Sequence, residues 1–305
     1  MRSNHLLPCC LLATTLIATA GPYPDAAGLP GSTAIPRDSP LFVNWASGHT
    51  AYQPGTGVDE VWQTPANAYG MAGETVYDIV ALGNGGSITL YFPLPVCDGA
   101  GADFAVFENS ISDYFLELAF VEVSSDGTHF FRFPSASLTA DKVGPYDTYG
   151  VDPTEVDGLA GKYALGFGTP FDLTDLPESP LLDKQHVRFI RLLDIIGDGT
   201  VRDSADRPIY DPTPTIGSGG FDLAAIGVIH QQAGGCRVLQ SGVTAEGFLL
   251  VWQSNPGSTY QIMESMDLKT WTVVETTLGS ITGPVTQRLL PTANASHKFW
   301  QIIRQ

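Results

Sequence analysis

The chain has 305 residues, enough to bury one large core or two smaller ones. Its 43% hydrophobic and 15% charged residues exclude a disordered chain or a coiled coil. A net charge of −17 argues against nucleic acid or an anionic membrane surface as a partner.

The first twenty residues, MRSNHLLPCCLLATTLIATA, read as a secretory signal peptide. Arg2 supplies the positive start, Leu6 to Ile17 the apolar run, and Ala18–Ala20 the small-residue cleavage site. No later apolar run is long enough for a transmembrane segment, so the expected location is secreted, periplasmic or cell-surface. Cys97 and Cys236 remain after cleavage and form a disulfide candidate in an oxidising compartment. Residues 21–40, rich in Pro, Gly and Ala, are expected to form a flexible leader.

Strand signals dominate from 41 to 232. GSITLYFPLP alternates, DFAVFEN is short and aromatic, and FLELAFVEVSSDGTHFFRFP places two strands around a Ser-Asp-Gly turn. HVRFIRLLDII and GGFDLAAIGVIH supply two more strands. GNGGS (83–87) precedes a strand and reads as a turn, not a phosphate cradle. DPTEVDGLAGKYA suits a short helix capped by Asp152 with Pro153 in its first turn. QQAGGC (231–236) reads as a linker. Beyond it, 237–305 carries strand–turn–strand spacing, with Leu250 and Trp252 on one face and Tyr260 and Ile262 on another. The expected fold is all-β: a jelly-roll β-sandwich over 41–232, then a small β-sandwich.

DFAVFENSISDYFLELAFVEVSSDGTHFFRFP, LAGKYALGFGTPFDL and GSGGFDLAAIGVIH resemble a family of bacterial secreted cell-surface proteins with a jelly-roll, galactose-binding or discoidin-like domain. The resemblance covers roughly 45–230. It implies a binding module with a structural calcium ion. Some relatives suggest corrinoid uptake, although the sequence shows no corrinoid ligand. Tyr260, Ser265, Asp267, Leu268, Trp271 and Thr272 match a fibronectin-III-like end module of Verrucomicrobia-type secreted proteins.

Asp194, Asp198, Asp203, Asp206 and Asp211 crowd the stretch 194–212. Calcium takes six to eight oxygen ligands from such flexible acidic loops. An EF-hand register fails, with Ile196 and Ala205 where oxygen ligands belong. The metal candidates are Asp198, Asp203, Asp206 and Asp211, with Asp222 or Glu108 brought near by the fold; a solvated loop neutralised by Arg202 and Arg207 is the alternative. Glu117 and Glu122 are five apart, so one strand sends them to opposite faces. Glu122 is expected on the solvent face and Glu117 in a buried hydrogen bond or ion pair. No G-x-S-x-G or H-E-x-x-H occurs, and the histidines have no zinc spacing. Trp62, Tyr69, Asn109, Tyr114, Tyr146 and Tyr149 are the ligand-binding candidates, an aromatic platform for a sugar or other ring. The leading expectation is a surface protein that binds carbohydrate or another small-molecule nutrient, or another surface protein, and is not an enzyme. A glycoside hydrolase, a structural envelope protein and a corrinoid-capture protein are the alternatives.

Overall fold

A computed structural model describes residues 21–232, 238–254, 258–279, 285–291 and 298–304. Residues 1–20, read above as a signal peptide, and Cys236 of the disulfide candidate lie outside these. Two units divide the chain, 1–230 and 231–305.

In the first unit the chain lays down β1 (Ile35–Pro36), β2 (Asn44–Trp45), β3 (Gly48–Gln53), β4 (Val80–Ala81) and β5 (Ser87–Val96). Then come β6 (Phe104–Glu108), β7 (Ala119–Ser124), β8 (Phe131–Arg132), β9 (Ala136–Ser137) and β10 (Val156–Asp157). The last five are β11 (Phe167–Phe171), β12 (Val187–Asp194), β13 (Asp198–Arg202), β14 (Pro208–Tyr210) and β15 (Asp222–Val228). One antiparallel sheet has the order β1-β11-β6-β15-β2, with β4 also on β15; the other runs β3-β5-β12-β7-β8.

Side-chain alternation builds the sandwich from these sheets. Phe104 and Val106 of β6, Val121 and Val123 of β7, and Ile190 and Leu192 of β12 share one core. Ala105 and Phe107 point the other way, into a cluster closed by Ile35, Phe42, Trp45, Val58 and Trp62. That second cluster explains the first departure from expectation. Residues 21–40 are not a loose leader: Ala26 is buried, Thr33 bonds the Tyr163 hydroxyl at 2.8 Å, and β1 pairs with β11. Ile35 of this segment joins Phe42, Trp45, Val58 and Trp62 in covering the apolar outer face of the sheet, which would otherwise stand in water.

The turn at Ser124–His129 forms as expected. Asp126 Oδ1 accepts the backbone N–H groups of Thr128 and His129 at 2.8 and 2.9 Å. The short helix is a single 3₁₀ turn, Pro153–Glu155, whose cap Asp152 accepts from Thr154 N at 2.8 Å. Glu122 departs from its expected solvent face. It does point away from the core, opposite in parity to Glu117, yet it is buried. Register sets Arg132 of β8 and Arg191 of β12 on either side of it, and both guanidinium groups bond its carboxylate.

The second unit holds β16 (Val238–Thr244), β17 (Gly247–Gln253), β18 (Thr259–Ser265), β19 (Thr272–Leu278), β20 (Val285–Leu290) and β21 (Phe299–Arg304). They form two three-stranded antiparallel sheets, β16-β17-β20 and β19-β18-β21. Leu250, Trp252, Tyr260 and Ile262 are buried together, as their alternation predicts. No helix among the described residues is long and apolar enough to cross a membrane.

Candidate functional site

Four strand ends meet at one end of the first sandwich, and each brings an acid. Glu108 closes β6 with the parity of Phe104 and Val106. Glu117 lies two residues before β7, in phase with Ala119, Val121 and Val123. Asp194 closes β12 in phase with Ile190 and Leu192. Asp222 opens β15 beside Glu108, just before a register irregularity between Leu223 and Ala225. Strand alternation thus turns acids inward where the apolar core ends. Asp211 joins them from the connection between β14 and β15, and all five carboxylates are buried.

Each carboxylate is anchored. Asp194 accepts from Gly85 N at 2.7 Å and Phe221 N at 2.6 Å. Asp211 accepts from Leu118 N at 2.9 Å, and Glu108 from Ser110 N at 2.7 Å. Glu117 takes the Thr215 hydroxyl at 2.6 Å; Thr215 in turn accepts from Gly220 N at 2.8 Å. Asp222 Oδ2 accepts the Asn109 amide at 3.2 Å, whereas its Oδ1 is buried and has no hydrogen-bond partner among the described residues.

The electrostatics are one-sided. Among the described residues, no salt bridge reaches any of these five groups. Burial, then the charges of Glu117 and Asp222, hold Glu108 well above the usual carboxylate range. Burial and then Asp222 do the same to Glu117. Burial and Asp194 raise Asp211 well above its ordinary value. Burial pushes Asp194 and Asp222 up to about 7, against the backbone donors of Asp194 and the Ser218 and Asn109 side chains beside Asp222. Loss of hydration disfavours the charged forms, and like charges add to it.

Above these acids lies a cavity of about 280 Å³. Glu117, Asp222, Thr215, Ser218, Asn109 and Ser110 are its polar lining; Trp62, Val76, Tyr77, Ile111, Phe115, Tyr146 and Ile216 are the rest. Trp62 and Tyr77 stack at 6.2 Å between centroids and 17° between planes. Among the described residues, no basic side chain lines it.

The expected ligand-binding set is divided. Trp62, Asn109 and Tyr146 line the cavity. Tyr114 and Tyr149 pair with each other, 6.1 Å apart, and are not in its lining. Tyr69 packs against the main core with its hydroxyl on His49. The lining also includes Tyr77 and Glu117, among other residues outside the expected ligand-binding set. The parity of FLELAFVEV was the signal for Glu117.

The expected metal set is divided too. Asp211, Asp222 and Glu108 belong to the buried group, but Asp198 binds within the β13–β14 hairpin and Asp203 binds both that hairpin and β9. Asp198 takes Thr200 N at 2.9 Å, and Asp203 takes Arg207 Nε at 2.7 Å and Ser137 N at 3.0 Å. Asp206 is an exposed turn residue with φ 62°. Among the described residues, Asp98, Asp103 and Asp172 do bring ligand atoms within 4.8 Å of one another. Asp103 already accepts from Gly99 N and Leu173 N, both at 2.7 Å, and from His230 at 2.8 Å, so it clasps three chain segments.

Compared with known proteins, the chain matches no family model and no curated sequence.

Proposed function

We propose that this is a secreted or cell-surface binding protein whose cavity takes a single carbohydrate ring. The observation that carries the reading is the pairing of the Trp62–Tyr77 stack with buried carboxylates in one cavity. Sugars present apolar ring faces, which aromatic side chains cover, and rims of hydroxyls, which carboxylates and amides accept from or donate to. A volume of about 280 Å³ suits one ring and is too small to enclose a corrinoid macrocycle. A glycan array followed by titration calorimetry tests the reading. Binding is expected, and Trp62→Ala should weaken it by roughly tenfold or more, about 1.4 kcal/mol. No glycan bound at millimolar concentration would overturn it and favour a structural envelope role.

Glu117 and Asp222 in one open cavity also support a second reading, glycoside hydrolysis, which needs two carboxyl groups across a glycosidic bond. Release of reducing ends from a polysaccharide panel, abolished by Glu117→Gln, would favour the hydrolase over the binder.

A further inference from the structure

Two features of the cavity floor stand apart from sugar binding. Asp222 Oδ1 is buried and unpartnered, although Asp222 is 2% exposed and lines the cavity. Five carboxylates are also buried at one end of a sandwich with no described salt bridge to any of them. Buried charge is tolerated only when it is paired, hydrogen-bonded or bound to metal. A proton would remove the charge of Asp222 but would leave Oδ1 without a partner. A hard cation supplies both a counter-charge and a ligand bond to that oxygen.

We infer that Glu117 and Asp222 hold a divalent cation of the calcium type at the cavity floor, and that this ion presents open coordination positions to the hydroxyls of the bound sugar. The site is separate from Asp198 and Asp203, whose carboxylates accept from neighbouring backbone N–H groups and from Arg207. Glu108 stands behind the pair, beside Asp222 where β6 meets β15. The lining adds the hydroxyl oxygens of Thr215 and Ser218 and, among the described residues, no basic group that would repel the ion. Calcium coordinates six to eight oxygens, so two carboxylates leave positions for water or for a vicinal diol. Ligand binding at this site is then calcium-dependent, a statement that rests on the carbohydrate reading above.

The test uses the full chain, stripped with chelator and titrated with calcium chloride alone, then with glycan in calcium or in chelator. One bound calcium per chain is expected, with a raised melting temperature. Asp222→Asn should abolish it, and Glu117→Gln should weaken it at least about tenfold. Terbium in place of calcium should show luminescence sensitised by Trp62 and Tyr77, falling in Trp62→Phe. Asp98→Asn with Asp172→Asn should leave calcium binding unchanged. If Asp222→Asn does not fold, Glu117→Gln and the terbium signal carry the test. Calcium affinity unchanged by Glu117→Gln, or lost only in the Asp98/Asp172 variant, overturns the inference, as does no calcium binding at millimolar concentration. Glycan binding indifferent to chelator overturns the inference while leaving the carbohydrate reading standing. Calcium bound without any glycan supports the ion site and sinks the carbohydrate reading instead.

Discussion

Glu122 and Glu178 show how differently two ion pairs can matter. Glu122 is buried between Arg132 and Arg191, whose guanidinium groups also lie over Phe120 and Phe130. Glu122→Ala leaves both cations without their acceptor on a covered strand face. Because both arginines keep partial contact with water, the expected loss is about 1–3 kcal/mol rather than the full figure for a buried pair. Glu178 is 89% exposed in its pair with Lys184, so Glu178→Ala should change stability by no more than about 0.5 kcal/mol. Urea denaturation of the two variants checks both figures. Asp194 and Asp222 add a pH dependence. Their folded-state values near 7 lie above the ordinary 3.8, so the folded chain binds more protons than the unfolded one between those limits. Their stabilising contribution is full below about pH 4 and is lost as pH rises through 7. In chelator, the melting temperature should therefore fall from about pH 5 to about pH 8; calcium, which binds the ionised forms, should oppose the fall. A melting temperature that rises over that range in chelator would contradict this account of the acids.

At the scale of elements, period-two alternation made most of the first unit legible. DFAVFEN, FLELAFVEV and HVRFIRLLD each yield a strand with the expected inward face. The same alternation places Glu108, Glu117 and Asp194 inward, so much of the acidic site was readable in the strands rather than in the Asp-rich loop. What alternation cannot give is pairing between distant strands. The shelter of Glu122 depends on β8 and β12 lying beside β7, and the meeting of Asp222 with Glu108 depends on β15 lying beside β6. Residues 21–40 depart for a related reason: their Pro and Gly content describes local stiffness and turns, not the pairing of β1 with β11 or the bond of Thr33 to Tyr163. The GSGG turn before β15 is where an element and the site are joined. Gly220 has φ 70°, and a Cβ there would stand 2.5 Å from Asp194 Oδ1 and 2.8 Å from the Gly83 carbonyl carbon. Gly28 has a similar φ of 80° with nothing within 4 Å of its Cβ. Gly28→Ala should therefore show the conformational penalty alone, about 1–3 kcal/mol, and Gly220→Ala clearly more. Equal losses in thermal unfolding would mean that the contact with Asp194 does not constrain the turn.

Across the whole molecule, the division of the chain follows from where its cores close. The three apolar clusters of the first unit draw on residues up to Val228, and the cluster of the second draws on Phe248 to Ile302; no cluster among the described residues mixes the two. The chain divides after His230; of the linker expected at 231–236, residues 233–236 lie outside the described residues. The units also differ in what limits them. The first closes its sandwich over a large core and accommodates unpaired acids at one end. The second is small and relies on a few large side chains, so its stability is concentrated in Trp252 and Tyr260, edge to face at 5.9 Å and both buried. Trp252→Ala should therefore cost about 3–5 kcal/mol, a large part of what a unit of this size has. The calcium-dependent shift in melting, which arises at the acids of the first unit, should persist in that variant. Calorimetric melting of the full chain with and without calcium measures both effects at once. Loss of the calcium shift in Trp252→Ala would show that the two cores do not act as separate folding units.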